Sequence, residues 1–203
     1  MKLNANNISF SYNKNKQILK DISLSISNDE IIGLIGDSGT GKSTLSKILS
    51  GYITDYEGEV NIDGEPIVTK DFYPVQLIFQ HPEKTMNPKW HMDEVLSESW
   101  EPPKDMRDDF GLKDNWMTRF PNELSGGELQ RFSILRALNP KTKFIIADEI
   151  STMLDAVTQV QIWTSLIDYC RRNEIGILAV SHDQELLDYL CDDVLYFNEL
   201  NHV

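Results

Sequence analysis

The chain has 203 residues, 32 of them acidic and 19 basic, which gives a formal net charge of −13; 40 % of the residues are hydrophobic. This length allows one domain, and the apolar fraction is sufficient for a packed core. The charge argues against nucleic acid as a partner, because duplex binding depends on Lys and Arg to displace counterions. It also disfavours direct docking on anionic lipid. No apolar run approaches the roughly 18 residues that span a bilayer, so we expect no direct membrane insertion.

The cysteines and the first residues of the chain indicate a cellular compartment. Cys170 and Cys191 form no CxxC pair, and residues 1–16 are polar, without the apolar segment of a secretory signal. We therefore expect a cytoplasmic protein with reduced, inert thiols. The four histidines lie far apart in the sequence and show no ligand spacing, so no structural zinc site is expected.

The first third of the chain is predicted to form strands. Residues 7–12 and 18–26 alternate between apolar and polar side chains, and residues 13–16 form a polar turn between them. Farther along, residues 59–62 and 67–68 flank an Asp-Gly turn and predict a hairpin. These segments indicate a small antiparallel sheet at one edge of the fold.

Apolar strands and helices alternate in the rest of the chain, which predicts a parallel α/β core. The expected strands are residues 31–35, 75–79, 143–147 and 175–180, and the expected helices are residues 42–50 and 155–172. Residues from about 81 to 138 interrupt this alternation with three tryptophans, five prolines and helical stretches. We interpret them as a helical lobe inserted into a single domain that covers residues 1–203.

Residues 36–43 fit the pattern G-x-x-x-x-G-K-[ST] between a buried strand and a helix. Glycines let such a loop fold into a nest of N–H groups, and the helix adds its positive N-terminus, so the segment predicts phosphate binding. Lys42 is expected to reach the β- and γ-phosphates, and the Ser43 hydroxyl to bind Mg²⁺. The expected phosphate-binding residues are Gly36, Ser38, Gly39, Thr40, Gly41, Lys42, Ser43 and Thr44.

The apolar strand at residues 144–147 ends in two acids, Asp148 and Glu149. An Asp at this place can reach the Mg²⁺ that the phosphate loop holds. Glu149 then stands where it can orient or deprotonate an attacking water. A strand followed by a solvated acidic turn is the alternative interpretation.

A second helix start lies at Ser125, Gly126 and Gly127. Ser125 is a good N-cap residue, so the segment has a purely structural interpretation. A helix N-terminus with a hydroxyl and two glycines is also a second phosphate site. Two half-sites in one chain suggest that two chains share one nucleotide.

These residues resemble the motifs of ABC-type nucleotide-binding domains over about residues 3–197. Residues 124–131 resemble the signature motif, residues 36–43 and 144–149 the two Walker motifs, and residues 152–155, with Asp155, the D-loop. Gln80 is similar to the Q-loop glutamine, His182 to the switch histidine, and Tyr12 to the aromatic residue that stacks on adenine. The seven motifs follow one another in family order. The resemblance implies an α/β fold of the P-loop NTPase type, with a parallel core sheet, an antiparallel β edge subdomain and an inserted helical lobe.

The resemblance also implies hydrolysis of ATP, with Mg²⁺, by a head-to-tail dimer of identical or different ATPase subunits. Glu149, His182 and Gln80 are then the expected catalytic residues, and Ser43, Gln80 and Asp148 the expected metal ligands. Tyr12 and the loop bind ATP in one subunit, while Ser125, Gly126 and Gly127 close over it from the other. Asp155 is a further expected ATP-binding residue. Transmembrane permease subunits are the implied partners, which would hold the chain on the inner face of the cell membrane.

A finer resemblance concerns the transported cargo. Residues 78–82, 87–88 and 120–123 are similar to the corresponding stretches of oligopeptide, dipeptide and nickel importers, so peptides and nickel or metallophore complexes are both expected cargoes. Thr152-Met153 stands where the family commonly has Ser-Ala, and Ile150 replaces its Pro. The acidic pair and Asp155 are kept, which favours intact catalysis. A catalytically weak partner subunit in a heterodimer, or an ABC ATPase for another cargo, is the alternative.

Overall fold

The computed structural model describes residues 1–13, 16–68, 71–152 and 154–203, and these form two β-sheets and seven α-helices. The strands are β1 (Lys2–Asn13), β2 (Lys16–Ser27), β3 (Ile31–Ile35), β4 (Glu57–Ile62), β5 (Glu65–Pro66), β6 (Val75–Ile78), β7 (Phe144–Asp148), β8 (Gly176–Ser181) and β9 (Asp193–Tyr196). The helices are α1 (Lys42–Leu49), α2 (Met92–Ser97), α3 (Lys104–Asp109), α4 (Gly126–Ala137), α5 (Ala156–Arg172), α6 (Gln184–Leu190) and α7 (Phe197–Leu200). Lys14 and Asn15 of the expected polar turn, and Met153 of the expected D-loop, lie outside the described residues.

Five strands form a parallel sheet in the order β6-β7-β8-β3-β9. The neighbouring strands run in register, with Leu34 opposite Val180 and Ala147 opposite Ala179. Because all five strands point the same way, the carboxyl ends of β3, β6, β7 and β8 lie at one edge of the sheet. The loops that follow these strands meet at that edge, where open α/β sheets bind their ligands.

Alternate residues of β7 face two separate apolar cores. Ile145 and Ala147 pack in the core that contains α4 and α5, whereas Phe144 and Ile146 pack in the core that contains α1 and the antiparallel sheet. Every residue of β7 and of β8 is buried. This double burial explains why their sequences are almost continuously apolar, and it confirms the expected α/β class.

The antiparallel sheet has the order β2-β1-β4-β5. The expected hairpin is present and consists of β4 and β5. The expected second strand at residues 67–68 is wrong, because Ile62 already pairs with Glu65. Asp63 and Gly64 both have positive φ, 53° and 84°. A two-residue turn of this kind starts the return strand immediately after the glycine, which places β5 earlier than the apolar residues suggest.

The sequence did not predict β9, which pairs with β3 at the edge of the parallel sheet. Its residues are only partly buried or exposed, so they lack the continuous apolar pattern of the central strands. Asp192, just before β9, accepts a hydrogen bond from the Ile31 N–H at 2.9 Å, and its own N–H donates to the Ile31 carbonyl at 2.8 Å. Backbone and carboxylate bonds to β3 therefore position this strand.

The segment between β6 and β7 contains α2, α3 and α4 and packs around large buried side chains. Phe110, Trp116 and Phe132 are among them. The indole N–H of Trp100 donates to the Leu135 carbonyl at 2.8 Å, which fixes the chain between α2 and α3 against α4. The exact limits of an inserted lobe stay a prediction.

Within the described ranges, no helix is long and apolar enough to cross a membrane.

Both cysteines are free, Cys170 in a buried position and Cys191 in a partly buried one. Burial raises the pKa of the Cys170 thiol, and it raises the pKa of Cys191 to about 12, with smaller contributions from Asp192 and Asp188. The thiolate is the reactive form of cysteine. Both thiols are therefore unreactive near neutral pH, as expected.

Close packing at the start of β8 generates a prediction about stability. A Cβ at Gly176 would collide with the Ser27 carbonyl oxygen and would lie 2.8 Å from Cδ1 of Phe144. We expect Gly176→Ala to lower the free energy of unfolding by about 1–3 kcal/mol, measured by urea denaturation. Gly126→Ala is the matched control, because a Cβ there meets no atom within 4 Å. Equal unfolding midpoints for the two variants would contradict the packing at β8.

Candidate functional site

The loop between β3 and α1 folds around the side chain of Lys42. The ammonium group donates hydrogen bonds to the carbonyl oxygens of Gly36 (2.6 Å) and Asp37 (2.8 Å), and only 5 % of the residue is exposed. Gly41, which precedes α1, has φ 119°, a value that residues with a side chain rarely adopt. The first N–H groups of a helix have no carbonyl partner within it, so those of Lys42 and Ser43 are available to phosphate oxygens.

The space beside this loop is open and large enough for a ligand. A cavity of about 370 Å³ is bordered by the loop and by Tyr12, Ile18, Gln80 and Glu149. A Cβ added at Gly39 would meet no atom within 4 Å. The Tyr12 hydroxyl lies 3.3 Å from the Thr44 hydroxyl, and 58 % of Tyr12 is exposed. The structure thus brings an aromatic ring with free surface to the expected phosphate loop.

Lys42 is a cation held among carboxylates. Burial lowers the pKa of Lys42, and the negative charges of Glu149, Asp148 and Asp37 oppose that shift. The amino group that the loop encloses thus lies next to carboxylates at the edge of the sheet, in a chain that is strongly acidic as a whole.

Asp148 ends β7 and is 94 % buried, since only 6 % of its surface is exposed. Burial raises the pKa of Asp148, and a hydrogen bond from Ser43 works against that shift. The Oδ1 atom is buried and has no hydrogen-bond partner among the described residues. A buried carboxylate oxygen without a partner, beside a serine hydroxyl, is a set of hard oxygen donors that fits Mg²⁺.

The oxygen atoms of Ser43 and Asp148 suit a Mg²⁺ ion that is bound together with a substrate better than a metal ion that is bound by protein side chains alone. Within the described part of the chain, no group of three or more His, Cys, Asp or Glu side chains could hold a metal ion. Mg²⁺ is commonly bound through one or two carboxylates and the phosphates of a substrate, with waters completing its shell. The residues around Asp148 therefore fit a cation that arrives with a nucleotide.

Three polar side chains meet beyond Asp148, one from the end of each of three neighbouring strands. Glu149 follows β7 and is held there by a hydrogen bond from its N–H to the Val180 carbonyl at 2.9 Å. Its Oε2 accepts from the Gln80 amide at 3.0 Å, and its Oε1 lies 3.4 Å from Nδ1 of His182. The side chain of Glu149 is 15 % exposed, so its carboxylate remains accessible to water.

The expected signature residues lie on a different surface of the same chain. Ser125 caps α4: its hydroxyl accepts from the Glu128 N–H at 3.4 Å, and its own N–H donates to the Glu128 carboxylate at 2.7 Å. Gly126, Gly127 and Asp155 border the same depression of about 560 Å³. The residues around this depression and those around the phosphate-loop cavity form two separate sets. The structure therefore does not bring Ser125 and its neighbours to the phosphate loop within one chain.

Asp155 caps α5, so the helix begins one residue later than expected. Its Oδ1 accepts from the N–H groups of Val157 (3.1 Å) and Thr158 (3.0 Å), and its Oδ2 accepts from the Thr158 hydroxyl at 2.7 Å. These hydrogen bonds, first of all those from Thr158, lower the pKa of Asp155. Asp155 is thus an ionised cap at the border of the second depression.

Some residues at the site were missed by sequence reasoning. Ile18 borders the cavity and would lie 3.1 Å from a Cβ at Gly41, while Phe197 would lie 2.9 Å from a Cβ at Gly36. Thr152 contacts Gln80 through its hydroxyl at 3.2 Å. Apolar residues far apart in the chain carry no signal for such contacts, whereas the unusual D-loop residue Thr152 marked a position worth testing.

The sequence matches the ABC transporter family over residues 19–152, which include the phosphate loop, Gln80, the signature residues and the two acids. The chain belongs to the ABC transporter family. It is an ATP-binding subunit and an ATPase of the ABC type.

This ABC-type ATPase has similar curated relatives and similar solved structures. It is 29 % identical, over 205 aligned residues, to the nickel import system ATP-binding protein NikE of Staphylococcus aureus strain N315. This alignment covers 95 % of this chain and 84 % of NikE. A putative ABC transporter ATP-binding protein from Pyrococcus furiosus superposes with a TM-score of 0.81 at 20 % identity, covering 99 % and 100 % of the two chains. The dimeric cassette MJ0796, bound to ADP and Pi, gives a TM-score of 0.80 at 24 % identity, covering 96 % and 93 %.

The unpartnered carboxylate of Asp148 generates a prediction about pH and stability. Since its pKa is raised by folding, the folded protein binds more protons than the unfolded chain above about pH 4, and stability falls as the pH rises through the raised pKa. Asp148→Asn removes this charge, so we expect a higher melting temperature at pH 7 without nucleotide or Mg²⁺. Each kcal/mol gained is about 2–4 °C.

The gain should shrink as the pH falls and disappear below about pH 4, where Asp148 becomes protonated in the unfolded chain as well as in the folded one. Asp29→Asn, at an exposed position in a turn, is the control and should leave the melting temperature unchanged. An Asp148→Asn protein that is less stable than the wild type at pH 7 would refute this account of the buried carboxylate.

Proposed function

We propose that this chain is the ATP-hydrolysing subunit of an ABC import system. The observation that carries the proposal is the meeting of Glu149, Gln80 and His182 next to the loop that holds Lys42. A carboxylate that is accessible to water stands there beside an open cavity of about 370 Å³. This combination supports hydrolysis as well as binding.

The phosphate loop binds the triphosphate in this proposal. The N–H groups of the loop and of the first turn of α1 donate to the phosphate oxygens, and the helix N-terminus favours their negative charge. Lys42 exchanges its two bonds to loop carbonyls for bonds to the phosphates. Tyr12 stacks on the adenine with the exposed face of its ring. Binding therefore depends mainly on backbone groups and one lysine.

Glu149 acts as the base that takes a proton from the attacking water. Its carboxylate already has two polar neighbours: Gln80 orients one oxygen, and His182 lies close to the other. When the γ-phosphate is present, His182 turns to it and stabilises its charge. Mg²⁺, held by Ser43, Asp148 and Gln80, supplies charge neutralisation on the phosphate oxygens when bound. The roles of water activation and phosphate stabilisation thus fall on separate side chains.

A second ATPase subunit completes the site. Because Ser125, Gly126, Gly127 and Asp155 lie on a surface separate from the phosphate loop, they are available to a nucleotide bound by another chain. A head-to-tail dimer places the capped N-terminus of α4 of one chain against the phosphates of the other. The partner is a second copy of this chain or a related ATPase.

Permease subunits in the membrane are the proposed partners besides the second ATPase subunit. They hold the chain at the inner face of the cell membrane.

The relative NikE is named as part of a nickel import system, which supports nickel or a nickel complex as the cargo. Peptide import is the second candidate, supported by the resemblance of residues 78–82 to the peptide importers. A catalytically weak partner subunit is disfavoured, because Glu149 and His182 are both present and adjacent.

Removal of the base tests the catalytic proposal. Glu149→Gln keeps the size and the hydrogen-bonding capacity of the side chain but removes its basicity. We expect steady-state ATP turnover to fall by about 10²- to 10⁴-fold, while the ATP affinity stays close to that of the wild type. Because hydrolysis stops, ATP should also hold two chains together, which sedimentation would detect as a dimer.

Lys42→Ala provides the opposite pattern and serves as the control. This variant should lose ATP binding, since it removes the cation around which the loop is folded. Undiminished turnover in Glu149→Gln would exclude Glu149 as the base, and an unchanged ATP affinity in Lys42→Ala would count against the phosphate loop.

Uptake measurements test the cargo. In cells that lack this gene, we expect accumulation of radioactive nickel to fall at low external concentration, since transport requires the hydrolysis step. The wild-type gene should restore it, and the Glu149→Gln gene should not. Normal nickel uptake together with lost uptake of a labelled dipeptide would assign the peptide cargo instead.

A further inference from the structure

Thr152 joins Gln80 to the turn that carries Glu149. Its hydroxyl oxygen lies 3.2 Å from the Gln80 amide nitrogen and 3.2 Å from the Glu149 carbonyl oxygen. The N–H of Thr152 also reaches the Glu149 carbonyl, at 3.4 Å. Glu149 itself has φ 51°, in the left-handed region that residues with a side chain rarely adopt. The hydroxyl is therefore part of the turn that directs Glu149.

The hydrogen atoms of these groups can be assigned. The Thr152 hydroxyl has one hydrogen, which it donates to the Glu149 carbonyl, because a carbonyl can only accept. Its lone pairs then accept from the Gln80 amide, which has two hydrogens: one for Thr152 and one for the carboxylate of Glu149. Both hydrogens of the amide nitrogen are thus donated in hydrogen bonds. The carbonyl end, Oε1, makes no hydrogen bond within the described ranges and is left for another ligand.

We propose that Thr152 is a positioning residue that fixes the orientation of the Gln80 amide, so that its nitrogen faces Glu149 and its oxygen remains available to the cation. This inference rests on the proposed function and deepens it. A divalent cation such as Mg²⁺ is bound by oxygen and repelled by an amide N–H₂ group. When Glu149 turns to the attacking water, Thr152 is the acceptor that keeps the nitrogen end in place.

The test compares three variants for Mg²⁺-dependent binding of adenylyl-imidodiphosphate, an ATP analogue that is not hydrolysed. Thr152→Val keeps the shape of the side chain but removes the hydroxyl, so Gln80 loses one of its two acceptors. We expect the half-saturating Mg²⁺ concentration to rise by about three- to tenfold, as for the loss of one hydrogen bond. Thr152→Ser should restore the wild-type value, because it restores the hydroxyl. Thr164→Val, an exposed threonine on α5, is the matched control and should have no effect.

Affinity for the analogue at saturating Mg²⁺ should be the same in all of these proteins. A higher half-saturating Mg²⁺ concentration together with an unchanged affinity at saturating Mg²⁺ distinguishes positioning of a metal ligand from general damage to the site. An unchanged or lower Mg²⁺ requirement in Thr152→Val, or a Thr152→Ser protein that behaves like Thr152→Val, would overturn the proposal.

A second measurement does not depend on nucleotide. In NMR spectra of the nucleotide-free wild-type chain, both side-chain amide hydrogens of Gln80 should exchange slowly with solvent, since each has its own acceptor. Thr152→Val should shift one signal and accelerate its exchange, and Thr152→Ser should not. If the wild-type protein binds no ATP, the proposed function fails while these signals still decide the role of Thr152. Identical Gln80 signals in wild type and Thr152→Val would refute that role.

Discussion

The parallel pairing of β3, β8, β7 and β6 is the constraint on which the site depends. Because these strands run in the same direction and in register, the segments that follow them converge at one edge of the sheet. Lys42, Gln80, Glu149 and His182 come from four distant parts of the sequence and have no other reason to be close. The covering cores hold the strands from both faces, and so they set the distances between these polar groups.

The site concentrates charge where the fold can least easily solvate it. Lys42 and Asp148 are almost fully buried, and Oδ1 of Asp148 has no partner among the described residues. Such groups reduce the stability of the empty protein and are stabilised when a ligand of the right charge arrives. The net charge of −13 therefore says little about anion binding. The groups available to an anion here are backbone N–H groups, a helix N-terminus and one lysine. Their local effect does not depend on the net charge of the whole chain.

Much of the fold and the contiguous parts of the site could be predicted from the sequence. The phosphate loop is a single segment in which glycine, lysine and serine are each required at a fixed spacing, and the strands at Asp148 and Ser181 are marked by continuous apolar runs. β9 could not be predicted, because backbone bonds to β3 position it rather than its own side chains. The contact of Thr152 with Gln80 was also beyond prediction, since it depends on two loops meeting across the sheet.

The position of β3 has a consequence for how the chain is made. Ile31 pairs with Ile177 on one side, and Ile32 pairs with Asp193 on the other. A ribosome that synthesises the chain from its N-terminus releases β3 and the phosphate loop long before either neighbouring strand exists. The apolar β3 must wait without its partners, and long-range parallel pairing of this kind is slow and exposed to aggregation. β3, an interior strand of the sheet that carries the phosphate loop, is therefore the part of the nascent protein that most needs protection.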